Sequence, residues 1–111
     1  MACTRSGRAS APPGGGTSLP LSLLPPGTRL RVLHEGFPVE VRRAAGGAVD
    51  ALSLLCTHSA CEVRWQAAEE RYLCPCHHGL FAPDGRVLAG PPPAPLRAVA
   101  VRVEGDQVVV G

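Results

Sequence analysis

The chain has few aromatic residues, no long apolar run and little net charge, and each shortage narrows what it can be. The aromatics are Phe37, Trp65, Tyr72 and Phe81, so a core built here leans on aliphatic side chains, with a metal or a disulfide able to add the stability that a larger core would give. No apolar stretch approaches the roughly 20 residues that a helix needs to cross a bilayer. No segment carries an amphipathic helical period and no stretch repeats, which argues against helical bundles and repeat arrays. The formal net charge is +2, with both signs mixed and no interleaving of aromatic and basic residues, so the footprint of a nucleic-acid binder is missing. Arg5, Arg8, Arg42 and Arg43 read as solvated tail or surface residues.

What is present is enough for one small domain. With 111 residues, 45% apolar and 18% charged, the chain can fill one compact core and has no material for a second domain. Residues 1–26 are rich in Gly, Pro, Ser and Ala, with Gly14-Gly15-Gly16 and two Pro-Pro pairs, and read as a flexible tether. From Gly27 onward short alternating runs predict strands at 28–33 and 38–42, with His34-Glu35-Gly36 as the turn and His34 as a plain exposed histidine. A buried strand over 49–55 delivers Cys56 at its end. Runs at 62–65 and 71–73 predict a hairpin that brings Cys74 beside it. Pro83-Asp84-Gly85 marks a turn, Val99, Val101 and Val103 share one face of a strand, and Gly105-Asp106 turns the chain into 107–110. The expectation is an all-β domain over 27–111, a small antiparallel sandwich or barrel.

The chemistry sits in two short boxes, Cys56-Thr57-His58 and Cys74-Pro75-Cys76-His77, with 15 residues between His58 and Cys74. Together they offer two thiolates and two imidazoles. A tetrahedral zinc ion accepts that set, and a redox-silent zinc-binding interaction module stays open on these residues. Zinc ligands more often come as C-x(2–4)-C or H-x(3–5)-H, whereas each box here pairs one cysteine with one histidine. The pattern C-x-H, spacer, C-x-x-H resembles the Rieske [2Fe-2S] family, in which two histidines replace two cysteines on one of the irons.

That resemblance implies a Rieske-like fold with two cluster-binding loops and a proline loop. Cys56 and Cys74 would hold the inner iron of a [2Fe-2S] cluster, and His58 and His77 the outer one. The family places its histidine directly after the second cysteine of C-P-C-H, which favours His77 over His78. Neutral imidazoles in place of thiolates leave the oxidised cluster roughly neutral, which helps raise its potential to about −150 to +300 mV, against about −400 mV for plant-type ferredoxins. In the branch that resembles cytochrome bc complexes the positions of Cys61 and Cys76 form a disulfide joining the two loops; over about 15 residues such a bond contributes on the order of 3 kcal/mol. Gly90-Pro91-Pro92-Pro93-Ala94-Pro95-Leu96 resembles the loop that covers the third side of the cluster. Ubiquinol-oxidising relatives continue C-P-C-H-G-S-x-Y, and here Gly79 and Phe81 stand where the serine and tyrosine hydroxyls would donate to sulfur, which implies a lower potential. Ser59, where a bulky apolar residue commonly shields the cluster, implies a wetter site.

The function so implied is one-electron transfer in a bacterial respiratory chain, as a subunit or carrier similar to the Rieske protein of a quinol:cytochrome c oxidoreductase. The small subunit of a molybdenum oxidase such as arsenite oxidase is the alternative. Expected redox partners are a quinol or a molybdenum subunit as donor and a cytochrome c as acceptor, at an extracytoplasmic site, since disulfides persist in oxidising compartments. Membrane association would come through a removed anchor or a lipid on Cys3, because Ala2-Cys3 before a small-residue stretch resembles the mature start of a bacterial lipoprotein.

Overall fold

A computed structural model describes residues 17–57, 61–90 and 94–111. Cys3, Arg5, Arg8, the glycine run, His58, Ser59 and Pro91 to Pro93 lie outside the described residues. Within them the chain is all-β: β1 (Thr17–Pro20), a 3-10 turn (Leu21–Leu23), β2 (Arg29–His34), β3 (Phe37–Arg43), β4 (Val49–Ser53), β5 (Arg64–Gln66), β6 (Arg71–Cys74), β7 (Gly79–Phe81), β8 (Val87–Ala89), β9 (Val101–Glu104) and β10 (Gln107–Val110). They form three antiparallel sheets in the orders β9-β10-β1, β2-β3-β4 and β5-β6-β7-β8.

The sheet β2-β3-β4 is the shared wall of the molecule. Side chains alternate across a strand, and here the two faces have different chemistry. Leu30, Val32, Val39, Val41, Val49 and Ala51 pack with Leu19, Leu24, Val108 and Val110 into one core. The opposite face carries Arg29, Arg31, Glu40, Arg42 and Asp50, together with Leu52, which joins Leu54, Cys56, Val63, Tyr72, Cys74, Phe81 and Leu96 in a second core. β3 is covered on both faces, so Pro38, Val39, Glu40 and Val41 are all buried. The β2–β3 hairpin closes through Glu35 and Gly36 at φ of 53° and 82°, the two positive values that a type I′ turn requires and that match the strands' twist.

Four expectations change. Residues 17–26 do not behave as tether: β1 pairs along its length with β10, and Leu24 is fully buried. Composition concealed this, since a four-residue edge strand flanked by prolines looks like linker until its partner is known. His34 is not a plain exposed residue. It closes β2 with its side chain only 15% exposed, and its Nδ1 shares a hydrogen bond with the Thr17 hydroxyl at 2.9 Å. Arg42 and Arg43 are not merely solvated. Arg42 forks onto Asp50 through Nε (2.9 Å) and Nη2 (2.6 Å), and Arg43 donates to the carbonyls of Leu24 and Gly47. The strand expected over 49–55 ends at Ser53, with Leu55 continuing as an isolated bridge to Glu62.

Candidate metal centre

Cys56 leaves the end of β4 and Cys74 closes β6, and both side chains enter the same buried core, at 4% and 1% exposure. The first loop is closed at its base by backbone bonds from the Cys56 amide to the Cys61 carbonyl (2.8 Å) and from the Val63 amide to the Leu54 carbonyl (2.7 Å). The second is the turn 75–78 between β6 and β7, whose ends Cys74 and Gly79 are register partners. A disulfide joins Cys61 of the first loop to Cys76 of the second, with Cα atoms 6.5 Å apart. His77 and His78 are exposed in that turn, and His78 takes a φ of 58°, a conformation that glycine adopts without strain.

The described residues on either side of 91–93 touch both loops. Thr57 donates its hydroxyl to the Ala94 carbonyl at 2.6 Å, tying the first box to the end of the proline-rich segment. Gly90 opens that segment at φ 96°, and a Cβ there would stand 2.9 Å from the Gly79 Cα. Only glycine lets the two backbones approach this closely.

Beneath β6 lies a charged node that composition and periodicity did not single out. The Tyr72 hydroxyl, on a fully buried side chain, donates to Glu40 Oε1 at 2.6 Å and accepts from Arg29 Nη1 at 2.9 Å and Arg42 Nη1 at 3.3 Å. Arg29 also donates to Glu40 at 2.9 Å, and its guanidinium lies 3.6 Å over the Trp65 ring, which meets Tyr72 edge-on at a centroid distance of 4.9 Å. Burial, then the bond to Glu40, pushes the Tyr72 hydroxyl up to about 12. Nearer the first loop, Arg31 forks onto Glu62 at 2.6 and 2.9 Å, and that hydrogen bond holds the Glu62 carboxyl below its ordinary range. A sequence signal for the node did exist in Arg29, Arg31, Glu40 and Arg42, which fall at alternate strand positions. Alternation marks a shared face but not what covers it.

Among the described residues no three His, Cys, Asp or Glu side chains gather to hold a single ion. A mixed-ligand two-iron cluster divides its ligands pairwise over two irons, and the described donors suit that division: two thiols inside the core, and His77 outside on a loop clasped to the other by a disulfide. No helix among the described residues is long and apolar enough to cross a membrane.

The chain is similar to known proteins. The chain is 42% identical over 65 residues to the cytochrome b6-f complex iron-sulfur subunit of Chlorobaculum thiosulfatiphilum, covering 59% of this chain and 36% of that protein. It is similar in structure to the plasma membrane Rieske protein PetC3 from Synechocystis PCC 6803, with 34% identity and a TM-score of 0.65 over 75% of this chain and 85% of that one. A chain of a hyperthermophilic respiratory Complex III is 31% identical with a TM-score of 0.68, over 83% of this chain and 72% of that one. The chain spans 36% to 49% of the length of the first curated relatives that it matches. The Rieske [2Fe-2S] domain profile matches residues 19–109, beginning inside the stretch that composition assigned to a tether, and the chain belongs to the Rieske [2Fe-2S] domain family.

Proposed function

We propose that Cys56 and Cys74 hold the inner iron and His58 and His77 the outer iron of a [2Fe-2S] cluster, and that the protein carries single electrons from a quinol to a cytochrome c at an extracytoplasmic membrane face. When bound, the cluster supplies reversible one-electron chemistry. The observation that carries the reading is the opposite burial of the two ligand types across disulfide-joined loops: Cys56 and Cys74 are inside the core while His77 is exposed. The chain's own part is to keep water from the sulfur side with Leu54, Val63, Phe81 and Leu96, and to present an imidazole edge where a donor or acceptor can touch it. The distal ring nitrogen can then exchange a hydrogen bond, and a proton, with the partner while an electron passes.

The kinship with a cytochrome b6-f subunit and with a Complex III chain supports a quinol donor over a molybdenum subunit, and the family match argues against the zinc module. Iron and acid-labile sulfide analysis with electron paramagnetic resonance of the reduced protein tests the assignment. The expected signal has the low average g of a histidine-ligated cluster, is lost in Cys56→Ser, Cys74→Ser, His58→Ala and His77→Ala, and survives in His78→Ala. Zinc without iron or sulfide, or loss of signal in His78→Ala with retention in His77→Ala, overturns it.

A further inference from the structure

We propose that Arg29 and Arg31 are positioning residues for the cluster, two grips on one face of β2 that act beside the disulfide to set how the two ligand boxes lie relative to each other. The proposal rests on the reading of the boxes as cluster ligands.

Residues two apart on a strand project to the same face, and this face of β2 looks toward the sheet that carries the second box. Arg31 reaches Glu62 through both arms of its fork. Glu62 follows Cys61 and its backbone bridges Leu55, the residue before Cys56, so the guanidinium anchors one foot of the first loop directly and the other through that bridge. Arg29 reaches the strand that delivers the second box. Its Nη1 bonds the Tyr72 hydroxyl, two residues ahead of Cys74, while its plane stacks on Trp65 of β5. Glu40 bonds both Arg29 and Tyr72, so the charge drawn into the interface is paired where it sits.

The chemistry of the grips demands arginine. A planar fork gives two parallel bonds to a carboxylate and stacks on an indole, which an ammonium on a flexible stem does not reproduce. Every one of the 11 cationic side chains in this protein is arginine. The grips also differ in environment. Arg31 and Glu62 are 52% and 39% exposed at the side chain and are screened by salt, whereas Arg29 and Glu40, at 31% and 10%, are screened less. The disulfide fixes the loops where Cys61 and Cys76 meet; the arginines fix the strands behind them. Because hydrogen bonding and geometry around the sulfurs tune such a cluster, loosening these strands should disturb its electronic signature, and not only the stability of the fold.

The test uses the full chain with its cluster loaded. Arg31→Glu sets like charges face to face, and the charge exchange Arg31→Glu with Glu62→Arg restores the pair. Arg29→Lys keeps charge but loses fork and stack. The single variants should broaden the resonance signal, shift the midpoint potential and hasten cluster loss, and amide exchange at Cys56 and Val63 should quicken several-fold in Arg31→Glu. The charge exchange should return all four toward the unmodified protein. Lower melting temperature with unchanged potential, line width and amide exchange would make these residues structural only and overturn the proposal, as would failure of the charge exchange to restore them. Absence of iron and sulfide from the unmodified chain would instead remove the cluster reading, and the positioning role with it.

Discussion

Replacing Tyr72 by phenylalanine removes one oxygen and leaves the ring in place, which isolates the worth of the buried node. The hydroxyl donates to the Glu40 carboxylate and accepts from two guanidiniums, and hydrogen bonds to charged groups contribute about 1.5–3 kcal/mol each. No charge is stranded, because Glu40 keeps Arg29 at 2.9 Å and Arg42 keeps Asp50 at 2.6 Å. The loss should therefore stay below the roughly 3–5 kcal/mol of a broken buried ion pair, and about 2–3 kcal/mol is expected. At roughly 4–8 °C per kcal/mol for a domain of this size, the melting temperature should fall by about 10–20 °C. Alkaline titration gives a second readout. The folded Tyr72 hydroxyl is pushed up to about 12, above the unfolded value of about 10, so the folded state favours the protonated form. That contribution is complete below pH of about 10 and is lost as pH rises from about 10 to about 12. The unmodified protein should weaken across this window, and Tyr72→Phe should lack that loss. Tyr72 is the single tyrosine, so tyrosinate absorbance reports it alone. A loss below about 0.5 kcal/mol, the scatter of surface substitutions, or titration near the ordinary value of about 10, would refute the account.

Gly90→Ala should destabilise by about 1–3 kcal/mol, because the new Cβ meets the Gly79 backbone at 2.9 Å and the backbone sits at φ 96°. Gly46→Ala, with nothing within 4 Å, should change thermal stability by no more than about 0.5 kcal/mol, and equal melts for the two would contradict the close approach. Replacing Cys61 and Cys76 together by serine opens a cross-link between residues 15 apart and should lower stability by about 3 kcal/mol in urea unfolding; an unchanged midpoint would mean that the bond contributes little. Phe81→Tyr places a hydroxyl in the core shared by Cys56 and Cys74, and voltammetry should find a higher potential as that donor reaches sulfur. A potential that stays or falls would show that the hydroxyl finds no sulfur partner.

Much of the fold was legible because its signals are local. Glu35-Gly36 and Pro83-Asp84-Gly85 carry their turn chemistry in the residues themselves, and the alternation in β2 comes from side chains that are drier on one face than on the other. β1 was not legible. Thr17–Pro20 is a strand only because Gln107–Val110, distant in the chain, offers it an unpaired edge. The two Cys-and-His boxes stood out because a metal-ligand pattern is recognised by residue type and spacing, both of which are local to the chain. Thr57's bond to Ala94 and the contact of Gly90 with Gly79 depend on loops meeting across the domain.

What the sequence by itself determined is which donors are on offer, two thiols and two imidazoles in mixed pairs, with Cys61 following the first pair and Cys76 inside the second. Only the tertiary structure decided that Glu40 and Tyr72 are buried together, that Arg29 and Arg31 lie on the face turned toward the sheet carrying the second box, and that Cys56 and Cys74 are inside while His77 is outside. A residue's type is local to the chain, but its burial depends on which other strands cover its face, and that is settled when the sheets pack.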